Sequence, residues 1–173
     1  MRVVQVDPLA FTPPYDDGLC AALARRGHDV SLLASRFLHG PTPAPRGYMR
    51  EEVFLPLSGR LFASRPRSPL RVPLKAAEYG PSAWRALRRA RALRPDVVHL
   101  HWLPLPRLDR RWLRRLARGV PTVLTAHDVL PRRSAGQVDT WLAVFRTVTR
   151  VVVHSERACE TLVGLGVERE RIE

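Results

Sequence analysis

The chain has 173 residues and a mass of 19.6 kDa, with 45% hydrophobic, 26% charged and 7% aromatic residues. That composition belongs to a globular domain, excludes disordered and fibrous classes, and at this length leaves enough interior for a core without disulfides or structural metal. The two cysteines, Cys20 and Cys159, have no metal-ligand spacing, and no apolar run approaches the roughly 18 residues of a membrane span. Secreted disulfide scaffolds and integral membrane proteins are excluded on these grounds, and a reducing, cytoplasmic setting is expected. Charge is the outlier at +13. Lys75 is the sole lysine, so 28 of the 29 basic residues are arginine, which resembles a genome-wide composition bias as much as selection for a polyanion.

In chain order, short β-branched runs alternate with helix-like segments, the pattern of a parallel sheet wrapped by crossover helices. Val3 to Val6 reads as the first strand. Asp16 to Arg26 reads as a helix that stops at Gly27, and Asp29 to Ala34 as the next strand. Residues 36–74 carry seven prolines and predict one long connection, relieved by an edge strand within Tyr48–Leu57, where Pro56 would be tolerated. Helices are expected at about 82–93 and 107–118. Asp96–His101, Thr122–Ala126 and Arg150–His154 are near-continuous apolar strands of the kind covered on both faces. A helix over Glu156–Leu165, with Ser155 as its N-cap, precedes a tail that looks like the approach to a further strand.

In open parallel sheets, ligands bind outside the carboxyl ends of the strands, where loops and helix N-termini converge. Here those ends deliver Asp7, then His101 and Trp102, then His127 and Asp128, then His154 and Ser155. His127 is the leading catalytic candidate, because Thr125-Ala126-His127-Asp128 places an imidazole where strand becomes loop, able to donate to a phosphate or sugar oxygen. Asp7, Thr12, Tyr15, His101, Trp102 and Asp128 are the substrate-binding candidates. His99 lies deeper on the face of His101 and reads as a core histidine. No His-x-x-x-His or cysteine spacing supports a metal, so none is expected. There is no Gly-x-Gly-x-x-Gly and no Gly-x-x-x-x-Gly-Lys; the first strand instead leads into a stiff loop, Asp7 to Gly18, whose Asp16 or Asp17 could cap the following helix.

Taken together, Leu19–Val30, Arg94–Trp102, Pro121–Pro131 and Val151–Glu156 resemble, in order and spacing, the amino-terminal domain of a GT-B retaining glycosyltransferase of family four. The resemblance implies one Rossmann-like α/β domain, residues 1–173, with helices on both faces of a parallel sheet. It further implies that this domain faces a carboxy-terminal donor domain that the sequence does not contain. The implied activity is transfer, with retention, from a nucleotide-sugar co-substrate to a lipid-linked or polysaccharide acceptor, with no other cofactor. By motif position, His127 matches the family histidine that approaches the donor sugar and diphosphate, and Asp7–Gly18 matches its first substrate loop. That loop is usually glycine-rich, whereas here it carries Phe11-Thr12-Pro13-Pro14-Tyr15. The chain alone is expected to be inactive, and a separate donor-domain chain is one possible partner.

The competing reading is a non-catalytic module. Residues 84–133 hold 13 arginines against Asp96, Asp109 and Asp128, and the two amphipathic helices there turn their arginines outward. Those faces would suit anionic lipid at an inner membrane surface, with nucleic acid the weaker alternative.

Overall fold

The structure is a computed structural model that describes residues 1–130 and 136–173. Six parallel strands form one sheet in the order β3-β2-β1-β4-β5-β6. They are β1 (Arg2–Asp7), β2 (Asp29–Ser35), β3 (Met49–Phe54), β4 (Val97–Leu100), β5 (Thr122–Thr125) and β6 (Arg150–Val152). The helices are α1 (Pro13–Arg25), α2 (Pro56–Leu61), α3 (Arg71–Ala92), α4 (Pro106–Ala117), α5 (Val138–Phe145) and α6 (Glu156–Gly164). The expected Rossmann-like α/β class is what the chain adopts.

Alternation along the strands divides the core. Val3, Val30, Leu32 and Ala34 pack with Cys20 and Leu23 of α1. Val4, Val6, Leu33, Val98 and Leu100 belong to the larger cluster that takes in Ala83, Ala86, Leu87 and Ala90 of α3 and Leu113 and Leu116 of α4. The apolar faces of the two amphipathic helices, α3 and α4, are therefore the buried ones, and Leu113→Ala should cost about 2–5 kcal/mol. Gly27 ends α1 with a φ of 82°, where a side chain would be strained.

Residues 36–74 are not one connection. They contain β3, at the sheet edge as expected, all of α2, and the first turn of α3, which begins eleven residues ahead of its expected start at 82. Pro56 is not in the edge strand. It occupies the first turn of α2, where its missing N–H would have no helical partner anyway. The α2 start is held by Glu78 of α3, whose buried carboxylate accepts from the backbone N–H of Leu57 (2.5 Å) and of Ser58 (2.9 Å). Behind it, the Leu55 N–H donates to Ser82 Oγ at 3.1 Å. Asp109 ties α3 to α4, accepting from the Tyr79 hydroxyl (2.6 Å), Trp112 Nε1 (3.0 Å) and the Leu105 N–H (2.8 Å). The tail forms a 3-10 turn (Arg169–Arg171) and a parallel bridge from Ile172 to Val151, which meets the expected approach to a further strand.

Candidate functional site

The parallel sheet points every strand's carboxyl end at one rim. Because Gln5 lies opposite His99 and His99 opposite Val123, the two-residue alternation carries Asp7, His101 and Thr125 onto the α1 side of the sheet. The first turn of α1 sits against them. The Tyr15 ring lies edge-on to His101 (5.7 Å), His127 (5.2 Å) and His154 (6.0 Å), so one residue of α1 touches the ends of three strands.

His127 is held on three sides. Trp102 stacks on it with ring centroids 4.6 Å apart and planes 8° from parallel, and His154 Nε2 lies 3.1 Å from its Nδ1. Its Nε2 is buried and has no partner among the described residues. Burial lowers its pKa, with the charge of His154 adding to the effect and that of exposed Asp128 opposing it. The imidazole is therefore neutral at pH 7. His101 is pushed further, to about 2, by burial and then by the charges of His99, His127 and His154. It is fixed by a 2.7 Å hydrogen bond between its Nε2 and Gln5 Oε1. His99, lowered to about 4 by burial and His127, bonds Thr125 Oγ1 at 2.7 Å, a satisfied interior histidine as its sequence position implied.

A cavity of about 500 Å³ opens beside this group, lined by Phe11, His101, Trp102, Thr125, His127, Asp128 and Trp141 among others. His101 Nδ1 and Trp102 Nε1, like His127 Nε2, are buried without partners among the described residues. Unmet hydrogen-bonding capacity at a cavity wall suits a ligand rich in oxygen.

The substrate-loop candidates behave differently from one another. Asp7 is buried and accepts from the backbone N–H of Leu9 (3.2 Å) and Phe11 (2.9 Å), which folds the loop back over the end of β1. Thr12 is the residue before α1; its Oγ1 is buried without a partner among the described residues. Neither Asp16 nor Asp17 caps α1, contrary to expectation, because Pro13 and Pro14 fill the first turn and the carboxylates turn elsewhere. Asp17 accepts from Arg46 (2.7 Å) and the Tyr48 hydroxyl (3.0 Å). Asp16 meets Asp7. Burial and the negative charge of Asp7 raise Asp16 to about 8, so at pH 7 it keeps its proton and donates to Asp7. Burial raises Asp7 as well.

Sequence reading singled out His127, His101, Trp102, Tyr15, Asp7, Thr12 and Asp128, and the fold gathers all of them at one rim. It did not single out the Asp7–Asp16 pair or the His154–His127 contact. The latter was signalled by position, since His154 follows β6 as His127 follows β5; Ser155 is also the N-cap it was expected to be, accepting from the Ala158 N–H at 3.2 Å. Among the described residues, no three His, Cys, Asp or Glu side chains group so as to hold a metal ion.

This arrangement defines a Rossmann-like domain with a candidate site at the carboxyl edge of its sheet. The chain belongs to Glycosyltransferase Family 4, whose family model matches residues 17–173, and it has the fold of the amino-terminal domain of a GT-B glycosyltransferase. No curated protein sequence matches the chain. Among solved structures it resembles UDP-GlcNAc 2-epimerase from Methanocaldococcus jannaschii, with a TM-score of 0.60, 11% identity, and coverage of 100% of this chain and 45% of that one. It also resembles HepE (Alr3699) of Anabaena in complex with UDP and glucose, with a TM-score of 0.57, 14% identity, and coverage of 100% and 43%. MurG of Acinetobacter baumannii follows at a TM-score of 0.50 and 14% identity, over 91% of this chain and 42% of that one. The chain thus spans less than half the length of these structures, and at such identities they speak for the fold alone.

Proposed function

We propose that this domain forms the acceptor side of a retaining glycosyltransferase, which moves a sugar from a nucleotide-sugar donor to a lipid-linked or polysaccharide acceptor without a metal. The observation that carries the reading is the environment of His127. Its imidazole is neutral, clamped by Trp102 and His154, and set in the wall of the cavity with Nε2 unmet. When His154 donates from Nε2 to Nδ1 of His127, the His127 proton resides on its own Nε2. In retaining transfer the sugar passes through an oxocarbenium-like state while charge grows on the departing diphosphate. A fixed N–H aimed at the sugar hydroxyls or a phosphate oxygen stabilises that charge without reorganisation, and Trp102 and Tyr15 keep the ring from turning away. Most donors to the diphosphate belong to a second domain across the cleft, so the 173-residue chain by itself is expected to release no nucleoside diphosphate from a nucleotide sugar.

The test supplies the chain with a donor-binding domain and measures nucleoside diphosphate release, sugar incorporation and anomeric configuration. His127→Ala should lower transfer by about 10²–10³-fold, the loss typical of one preorganised donor, while the thermal melt stays unchanged. Transfer at the parent rate would remove His127 from the reaction, and an inverted product would remove retention.

A further inference from the structure

The arginines that crowd the outer faces of α3 and α4 are engaged within the chain at several points. Arg89 holds Glu51 through bonds of 2.5 and 2.7 Å, Arg91 donates to the Arg115 carbonyl, and Arg115 lies 5.4 Å over the Trp84 ring. Arg132 and Arg133 lie outside the described residues. His154 is the opposite case, an exposed side chain whose hydrogen bond among the described residues runs inward, to His127. Its backbone is set for that contact from both sides. The Val153 N–H donates to the Glu173 carbonyl at 2.9 Å, and Ser155 caps α6 directly after it.

Two aromatic contacts fix the plane of the His127 ring, and neither decides which edge of the ring faces the cavity. Trp102 stacks on its face and Tyr15 meets it edge-on. A half-turn about the Cβ–Cγ bond leaves the imidazole in the same plane while exchanging Nδ1 with Cδ2 and Nε2 with Cε1, so the stack survives it. The bond to His154 does not. In the turned ring Cδ2 would face His154 Nε2 and Cε1 would face the cavity, and no other polar partner of His127 among the described residues bears on the choice.

The same contact chooses the proton. A neutral imidazole carries one N–H, and a histidine side chain intrinsically favours placing it on Nε2. When His154 donates from Nε2, both rings hold the favoured form, His127 accepting at Nδ1 and keeping its proton on Nε2. Donation the other way would put both rings in the disfavoured form. A charged His154, protonated on both nitrogens, can only donate, and its charge keeps His127 the neutral member of the pair. We propose that His154 is a positioning residue, which by donating to Nδ1 selects both the flip and the tautomer of His127 and so turns an N–H toward the cavity. The inference rests on the role given to His127 above and narrows it. The group opposite Nε2 must be a hydrogen-bond acceptor, such as a sugar or phosphate oxygen, and His127 offers no lone pair with which to take a proton from the hydroxyl that receives the sugar.

The 173-residue chain, labelled with nitrogen-15 at histidine, tests this without a donor. Long-range proton–nitrogen spectra at pH 7.5 should show His127 protonated on Nε2 and bare on Nδ1, its signals assigned by their loss in His127→Ala. His154→Gln, whose amide still donates, should keep that pattern. His154→Glu, a carboxylate that only accepts, should move the proton to Nδ1 and raise the His127 pKa. Because His154 is exposed, all three variants at that position, Gln, Glu and Ala, should melt with the parent. With a donor-binding domain supplied, His154→Ala and His154→Glu should lower kcat by about 10–100-fold with KM little changed, and His154→Gln should recover most of it. A parent with Nδ1 protonated, or a folded His154→Glu variant in which the tautomer stays put, would overturn the positioning role; so would a His154→Ala enzyme at the parent kcat. Absence of transfer in every mixture, with the tautomers as expected, would support the positioning of His127 and remove the transfer reading alone.

Discussion

Two buried ionisable clusters flank the first turn of α1, and burial drives them in opposite directions to the same end. Under β1, Asp16 is raised to about 8 and holds a proton against Asp7. Across the ends of β4, β5 and β6, His101, His99 and His127 are all lowered and give theirs up. A carboxyl and an imidazole taken out of water each retreat to the neutral form, because the desolvation cost falls on the ion whatever its sign. The imidazoles at the rim therefore present neutral hydrogen-bonding groups, while Asp7 and Asp16 share a single proton. Such a surface suits polar ligands whose hydroxyl groups can both donate and accept.

The comparison breaks most visibly at Asp7. Asp7→Ala leaves the N–H groups of Leu9 and Phe11 without their acceptor, and the chain should lose about 2–4 kcal/mol by urea unfolding at pH 7. The imidazole side is read by acid. For His101 and His99 the folded pKa values of about 2 and about 4 lie below the unfolded value near 6.5, so the unfolded chain binds more protons in that interval. Stability should fall as pH drops from about 6.5 toward 4, by about 2–3 kcal/mol per fully shifted group, and a His99→Gln variant should lose part of that slope. The carboxyl side has the reverse sign. Asp16 binds its proton more tightly when folded, so its contribution is present in acid and fades as pH rises toward 8. Asp16→Asn, which keeps a donor toward Asp7, should raise the free energy of unfolding by at least about 1 kcal/mol at pH 7.5 and change it far less at pH 4. Smallest is the cap: Ser155→Ala should cost about 0.5–1 kcal/mol with no pH dependence, separating a helix-end effect from the titrating clusters beside it.

The strands were legible because each is a short apolar run bounded by turn residues, and the rim candidates followed from one rule about parallel sheets. His127 and His101 could be chosen that way since the end of a strand is fixed by where its run stops, whereas Tyr15 was picked from the loop that follows the first strand. The Asp7–Asp16 contact could not, because five residues of irregular loop and the first turn of α1 intervene and no period relates the two. The early start of α3 was obscured by Pro66, Pro69 and Pro73, which read as loop; the packing of Tyr79, Ser82 and Glu78 against β3 and α2 supplies helix stability that local propensity does not.

Sequence alone settled the class of fold, the faces that α3 and α4 bury and the rim at which the candidate residues gather, since these depend on periodicity and on the fixed direction of parallel strands. Tertiary structure decided which ionisable groups meet and which forms they take, because burial and neighbouring charge arise only when distant segments close on one another. It also decided which cations are engaged by Glu51, a backbone carbonyl or Trp84, a difference that charge counts along a chain do not contain.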